Sequence, residues 1–376
     1  MHDVLPDRLP YNPNQFVNRQ KALRQVLEIA RQLAAKLPVE RRVFFACGER
    51  GCGKTWFLRH LAWELERQGM ASALYLNLLD RWKEERGSIR LTVESIAASI
   101  QQAHNPSSPF VLLIDGVDDV PVDLLGRLEE HVLAPAAQQP RTLIVIAERG
   151  GPRHWNGPEF REKSTRIELG PFEDPARDHV RAQIEKQLPH TTADLDEVRK
   201  WSGGYPWSAY LLARNLPQGG QALQECALSL LGEHRDLYPY LEALSVLRAF
   251  DDVRMSELFG LCFPGEMWDY PACLDVRKKL LATTMVHWVK EKRGYVIDEP
   301  LRLLLEAALR QREGTLWREL HCAAYRLYEE WARTFEQSCE EWAREQAHHE
   351  EALRRDGYQA ADCPPRRETP EEGGEA

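Results

Sequence analysis

The sequence has 376 residues, which is enough for two or three packed domains. It carries 49 Lys and Arg residues against 58 Asp and Glu residues, a formal net charge of −9, so any binding to nucleic acid or to an anionic membrane must be local. The eight cysteines form no Cys-x-x-Cys pair, the N-terminus has no apolar signal segment, and no apolar run reaches the roughly 18 residues of a membrane span. We therefore expect a soluble, cytoplasmic protein with free thiols and no membrane association.

A glycine-rich loop near the N-terminus joins a predicted strand to a predicted helix. The strand is "RVFFAC", residues 42–47, and the helix is "TWFLRHLAWELERQG", whose apolar residues recur at helical spacing up to Gly69. The loop between them, "GERGCGKT", fits the pattern G-x-x-x-x-G-K-[ST], in which backbone N–H groups surround phosphate oxygens at a helix N-terminus. A glycine turn without phosphate is the alternative. The predicted nucleotide-binding residues of this loop are Gly48, Glu49, Arg50, Gly51, Cys52, Gly53, Lys54 and Thr55.

Residues in the loop and after a later apolar run have the side chains that a site for nucleotide and Mg²⁺ needs. Lys54 would neutralise the β and γ phosphates, and the Thr55 hydroxyl would bind Mg²⁺. Asp115 follows the apolar run 110–114, so its carboxylate is expected at the carboxyl end of a buried strand, as a second metal-binding group. Asp118 or Asp119 would orient or deprotonate the attacking water, and the sequence does not choose between them. The alternative is a set of turn carboxylates in solvent.

A further apolar run, "RTLIVIAERG", ends in Glu148 and Arg149. A cation at that strand end can sense the γ phosphate and stabilise charge during phosphoryl transfer; a surface arginine at a strand terminus is the alternative. With "SALYLNL" and "TRIELG", five candidate strands alternate with helical segments such as "TVESIAASIQQAH". This alternation predicts an α/β fold with a parallel sheet and helices on both faces.

These motifs resemble the STAND NTPases, the signalling branch of P-loop ATPases that includes the NACHT and NB-ARC proteins, and their AAA+ relatives. "LLIDGVDD" is similar to the NACHT form of the second motif, and "ERG" to the segment that supplies the strand-end arginine, Arg149. "QFVNRQKAL" resembles the segment placed over adenine, which implies that Phe16, Val17 and Arg19 contact the base; Asn18 stands where the family usually has glycine. "SGGYPWSAYLL" resembles the glycine-x-proline motif of the lid, which implies that Pro206 packs on the base.

The expected architecture is a P-loop NTPase sheet followed by a helical lid, a winged-helix domain and a short C-terminal helical segment. The winged helix is predicted because several helical segments precede two short strand-like runs around a basic turn. The predicted domains are the nucleotide-binding domain at 1–170, the lid at 171–220, the winged helix at 221–310, helical hairpins at 311–356 and a disordered tail at 357–376.

In STAND proteins a histidine at the end of the winged-helix hairpin contacts the β phosphate of ADP. Here Asp298 stands in the matching place, and an aspartate repels phosphate unless a cation intervenes. His287, on the preceding strand, is either a substitute for that histidine or a structural residue. Further along the chain, the run from His348 to Glu351 is interpreted as a solvated helix face and not as a metal site.

The predicted function is an ATP-binding, slowly hydrolysing regulatory switch, closed with ADP and open with ATP, that uses Mg²⁺. Output would come through a protein partner or self-assembly in the ATP state. The first alternative is a DNA-associated AAA+ ATPase of the origin-recognition or transposition-helper type, using the winged helix on DNA. DNA binding is not favoured, because residues 221–310 contain more acidic than basic side chains. The second alternative is a scaffold that binds nucleotide without hydrolysing it.

Overall fold

The computed structural model describes residues 11–105, 107–149, 154–172, 178–283, 285–335 and 338–365. Within these residues the chain forms two units. The first unit takes in residues 11–191 and 203–210, and the second takes in 192–202 and 211–365.

The first unit is built on a five-stranded parallel sheet. Its strand order is β2-β3-β4-β1-β5, and β1 lies between β4 and β5 with Cys47 level with Glu148 and Glu168. Because the strands are parallel, their carboxyl ends share one edge of the sheet, which is where α/β folds bind ligands. All five predicted strands are confirmed. The strands are β1 (Val43–Cys47), β2 (Ser72–Asn77), β3 (Phe110–Asp115), β4 (Thr142–Glu148) and β5 (Ser164–Glu168).

Helices cover both faces of this sheet, as the alternation of strands and helices predicts. On one face, inward side chains such as Phe44 and Val111 pack in one core with the first two helices; on the other, Phe45 and Leu112 pack in a second core with the fourth and fifth. A π-helical turn at Glu129–Leu133 joins the fifth and sixth helices. The helices are α1 (Gln20–Ala34), α2 (Lys54–Arg67), α3 (Leu78–Glu84), α4 (Ile89–Ala103), α5 (Val122–Leu128), α6 (Ala134–Gln138), α7 (Pro158–Arg161) and α8 (His179–Gln187).

The rest of the described chain is helical except for one hairpin of two antiparallel strands. The hairpin strands are β6 (Val286–Val289) and β7 (Gly294–Ile297), with Val286 paired to Ile297. None of the described helices is long and apolar enough to cross a membrane. The helices are α9 (Leu195–Ser202), α10 (Pro206–Asn215), α11 (Gly220–Leu231), α12 (Tyr238–Leu244), α13 (Asp252–Cys262), α14 (Tyr270–Ala282), α15 (Glu299–Arg312), α16 (Gly314–Thr334) and α17 (Cys339–Arg355).

The C-terminal segment differs from the sequence-based expectation at two points. Cys322 of α16 and Cys363 form a disulfide, so the prediction of free thiols is wrong for this pair. The segment that follows α17 folds back, buries Ala360 and Cys363, and accepts a hydrogen bond from Arg326 at the Cys363 carbonyl (2.6 Å). The boundary predicted for a disordered tail, residue 357, is therefore too early, because a contact distant in sequence holds residues 357–365. Residues 366–376 of that predicted tail lie outside the described residues.

The histidines of α17 also differ from the prediction of a solvated face. The ring of His349 is fully buried, stacks on Tyr328 (centroids 5.6 Å apart), and its Nδ1 lies 2.9 Å from Nδ1 of His321 on α16. Packing of α17 against α16 buries this face, which helical spacing within α17 alone does not reveal.

Candidate functional site

The loop between β1 and α2 has a backbone conformation that favours glycine at several positions. Gly51 and Gly53 have φ angles of 81° and 94°, in the left-handed region that side-chain-bearing residues rarely adopt. A Cβ atom at Gly48 would collide with the Leu169 carbonyl and the Cys52 sulfur. The loop turns tightly, ends at Gly53 as the cap of α2, and leaves the first N–H groups of that helix at the carboxyl edge of the sheet.

Lys54 and Thr55 are the first two residues of α2, and both are half-buried. The ammonium group of Lys54 donates hydrogen bonds to the carbonyl oxygens of Gly48 (2.7 Å) and Glu49 (3.1 Å), so its charge lies over the loop. Glu49 and Arg50 are also half-buried. Cys52 is buried, and burial raises the pKa of its thiol, which keeps the loop's sulfur neutral.

Asp115 lies at the carboxyl end of β3, as its sequence position predicts, and only 6% of its surface is exposed. Both carboxylate oxygens accept hydrogen bonds. The Gly116 N–H donates to Oδ1 (2.9 Å), and the Tyr75 hydroxyl donates to Oδ2 (2.8 Å). These two donors fix the plane of the carboxylate.

The structure brings the three predicted catalytic residues together. Asp118 and Asp119 lie on a short 3₁₀ turn after β3, and the Arg149 N–H donates to Oδ1 of Asp118 (3.1 Å). The Arg149 guanidinium lies 3.9 Å from Asp118 and 4.0 Å from Asp119. Burial raises the pKa of Asp118, although the nearby charges of Lys54 and Arg149 partly oppose this shift. Lys54 of the loop therefore interacts electrostatically with Asp118 of the second motif.

The segment predicted to cover adenine lies beside the loop. Asn18 has φ 64°, a conformation that asparagine tolerates, which explains how it can stand where the proteins that this segment resembles usually have glycine. Arg19 donates from Nη2 to the Cys52 carbonyl (2.9 Å) and to the Gly170 carbonyl. Phe16 stacks on His60 of α2 with ring centroids 3.9 Å apart, and Val17 is half-buried. Arg19 thus ties the segment to the loop.

Pro206, the first residue of α10, also lies beside the loop. Its Cγ is 4.0 Å from the position that a Cβ on Gly53 would take, and the next residue, Trp207, donates its N–H to the Gly51 carbonyl (3.2 Å). The Pro206 carbonyl accepts a hydrogen bond from Gln183 of α8 (2.7 Å). The proline that the resemblance assigns to the base is held next to the predicted phosphate loop.

In the second unit, the two residues considered for the role of the sensor histidine are neighbours. Nδ1 of His287 on β6 lies 3.6 Å from Oδ1 of Asp298, which caps α15 and is only 1% exposed. A protonated His287 would pair with this carboxylate.

Two contributors to the site were not predicted. In the sequence "SALYLNL", Tyr75 occupies a position typical of an apolar strand residue. In the structure, its hydroxyl donates a hydrogen bond to Asp115 on the neighbouring strand. His60, within the helical pattern of α2, stacks on Phe16 and contacts the Tyr11 hydroxyl through Nδ1 (2.7 Å). Each of these contacts involves a residue distant in sequence, so the spacing of apolar residues along the chain does not predict it.

No protein-family model matches the sequence, and no curated protein matches it. Among solved structures, Cdc6p from Pyrobaculum aerophilum is 15% identical with a TM-score of 0.42, over 84% of this chain and 97% of that one. The Holliday junction branch migration motor RuvB of Thermotoga maritima is 16% identical with a TM-score of 0.41, over 77% and 95%. The ORC1 protein of Aeropyrum pernix, solved in complex with DNA, is 17% identical with a TM-score of 0.39, over 82% and 95%. Similarities of this size do not establish a shared function.

Proposed function

We propose that the chain binds Mg·ATP at the loop 48–55 and hydrolyses it slowly, as a regulatory switch. The proposal rests mainly on one observation: side chains of different chemical types meet at the edge of the sheet formed by the carboxyl ends of its strands. The loop and its lysine, Asp115 at the end of β3, and Asp118 with Arg149 come from three separate segments of the sequence and meet there.

The chain's own groups fit a nucleoside triphosphate with a divalent cation. The N–H groups at the start of α2 and the Lys54 ammonium would bind phosphate oxygens, since a helix N-terminus and a cation both favour anions. Thr55 and Asp115 would hold Mg²⁺, for which hydroxyl and carboxylate oxygens are suitable ligands. When bound, Mg²⁺ would neutralise charge on the β and γ phosphates. Phe16, Val17, Arg19 and Pro206 would contact the base.

Asp118 is the better candidate for the residue that orients or deprotonates water. Its side chain is 25% exposed against 35% for Asp119, and burial raises its pKa, which makes the carboxylate a stronger base. Arg149 would stabilise the negative charge that develops on the transferred phosphoryl group. The hydrogen bond from the Arg149 backbone N–H to Asp118 keeps these two candidate catalytic residues next to each other.

The finer proposal is a switch of the STAND type, in which ADP and ATP favour different states and the ATP state engages a partner or further copies of the chain. To move such an equilibrium from 1:99 to 99:1, nucleotide and activator together must supply about 5.5 kcal/mol of differential binding. Several charge-assisted contacts to a γ phosphate, at about 1.5–3 kcal/mol each, are enough.

We do not propose DNA as the ligand of α14 and the β6–β7 hairpin, because acidic side chains lie beside several of their basic ones. Arg277 pairs with Asp252, and Lys278 lies 3.9 Å from Asp275. Arg293, in the hairpin turn, lies 3.9 Å from Glu341. A DNA phosphate would meet these carboxylates next to the cations, in a region that has more acidic than basic side chains.

Calorimetric titration with Mg·ATP tests the proposed site. Lys54→Ala should reduce affinity at least about 100-fold, since it removes the loop's cation from the phosphates. Lys83→Ala, which removes an exposed lysine of α3, is the matched control and should bind as the wild type does. Equal affinity of wild type and Lys54→Ala would show that the loop does not hold phosphate.

A further inference from the structure

Tyr75 is placed to control the predicted metal-binding carboxylate. It lies on β2, the edge strand next to β3, two residues before the position level with Asp115. Its hydroxyl donates to Oδ2 of Asp115 at 2.8 Å, while the Gly116 N–H takes the other oxygen. The carboxylate is nearly buried, so few other donors can replace the tyrosine.

The tyrosine hydroxyl has one proton to donate, and the Asp115 carboxylate receives that hydrogen bond. The ionised carboxylate has no proton of its own, so the donor in this contact is the tyrosine.

A cation lies over the face of the same ring. The guanidinium carbon of Arg59, on α2, is 5.1 Å from the centroid of the Tyr75 ring, and its side chain also interacts with the tyrosine hydroxyl. Arginine forms strong paired bonds with carboxylates. An Asp115 paired directly with Arg59 would have less charge and fewer lone pairs to offer a metal and its water ligands.

We propose that Tyr75 is a positioning residue: its hydroxyl orients the Asp115 carboxylate for Mg²⁺ and holds it away from the Arg59 guanidinium. This inference rests on the proposed function, because it concerns the metal that accompanies the nucleotide. Partners of metal-binding side chains commonly affect metal affinity by about 10- to 100-fold.

The test is a Mg²⁺ titration of binding of a fluorescent ATP analogue to the full chain, at a fixed nucleotide concentration. Tyr75→Phe keeps the ring and removes the hydroxyl, and we expect the Mg²⁺ midpoint to rise about 10-fold. Binding of the analogue in EDTA should stay within about twofold of wild type, since the phosphate loop is untouched. Tyr240→Phe, in α12 of the second unit, controls for loss of a hydroxyl elsewhere, and thermal unfolding without nucleotide checks that each variant is folded.

A second variant separates positioning from a general structural effect. In Tyr75→Phe/Arg59→Met the competing guanidinium is gone, so the Mg²⁺ midpoint should return to within about threefold of wild type. An unchanged or lower midpoint in Tyr75→Phe, or no recovery in the double variant, would overturn the role of Tyr75 and leave the proposed function standing. Wild-type protein whose nucleotide binding does not respond to Mg²⁺ would overturn both.

Discussion

Asp118 and Asp119 are adjacent aspartates in different surroundings. Asp118 accepts the Arg149 N–H, interacts with the charge of Lys54 and has a raised pKa, whereas Asp119 lies 4.0 Å from the Arg149 guanidinium. The sequence places both one turn after Asp115 and gives no reason to prefer either. The preference for Asp118 comes from its burial, which only the folded chain reveals.

Substitution of each aspartate tests this preference. Asp118→Asn should retain Mg·ATP binding and slow phosphate release about 100-fold or more, because an amide cannot accept the water's proton. Asp119→Asn is the matched control and should slow it much less. In wild type the rate should fall as pH drops through the raised pKa of Asp118, since protonation removes the base.

The pH dependence gives an independent readout for the same pair of variants. The residual activity of Asp118→Asn should lack the acidic limb of the wild-type profile, whereas Asp119→Asn should keep it. Equal turnover in both variants, or an unchanged acidic limb in Asp118→Asn, would contradict the assignment of Asp118.

At the scale of single residues, the sequence predicts groups that belong to one local motif. Gly51, Gly53 and Lys54 follow from a pattern of eight residues, and their positive φ angles and loop contacts agree with it. Tyr75 could not be predicted, because its function depends on which strand lies beside β2. An apolar strand tolerates tyrosine for packing alone.

At the scale of elements, continuous apolar runs predicted the central strands β1, β3 and β4, which are buried along their whole length. The edge strands β2 and β5 are only partly buried and were predicted from the segments "SALYLNL" and "TRIELG". The pairing of elements was not predictable in the same way. The Cys322–Cys363 disulfide joins positions 41 residues apart. The burial of His349 depends on its contact with His321, which belongs to a different helix, α16. Neither feature leaves a pattern within one helix.

A cluster of titratable side chains connects α15, α16 and α17. Glu306 lies 2.8 Å from Arg302 and 3.4 Å from Nε2 of His321, whose Nδ1 contacts His349. Burial lowers the pKa of His349 well below 6.5 and that of His348 to about 3, and the positive charge of nearby Arg302 adds to both shifts. Burial alone would raise the pKa of Glu306, but the hydrogen bond from His321 and the charge of Arg302 outweigh it and lower the pKa to about 2.

This cluster predicts loss of stability in mild acid. The folded chain keeps His348 and His349 neutral between pH 7 and pH 5, while the unfolded chain binds protons near pH 6.5, so acid favours unfolding. Each histidine should cost about 2 kcal/mol of stability over that interval. Glu306 stays ionised in the folded chain throughout it.

Urea unfolding at pH 7 and pH 5 measures the effect. In His349→Phe, which keeps a ring in place but cannot bind a proton, the difference in unfolding free energy between the two pH values should shrink by about 2 kcal/mol. His234→Phe, at a partly exposed site in the same unit, should leave the difference unchanged. Wild-type stability that is equal at both pH values would show that the histidines are not held neutral by burial.

At the scale of the whole molecule, the proposed switch links one nucleotide site to a regulatory output. The contacts of the nucleotide site lie within the first unit, and the contact between His287 and Asp298 lies within the second. In the switch proposal, bound ADP and bound ATP favour states with different capacities for assembly. In this proposal, the identity of the bound nucleotide, and not only its presence, determines whether the molecule can assemble.

The most direct test is to identify the nucleotide that the purified chain retains and to measure its mass in solution with ADP and with ATP, in the presence of Mg²⁺. We expect retained ADP in a monomer and larger assemblies with ATP, with no such change in Lys54→Ala. The same mass with ADP and with ATP, in protein shown to bind both, would contradict the switch.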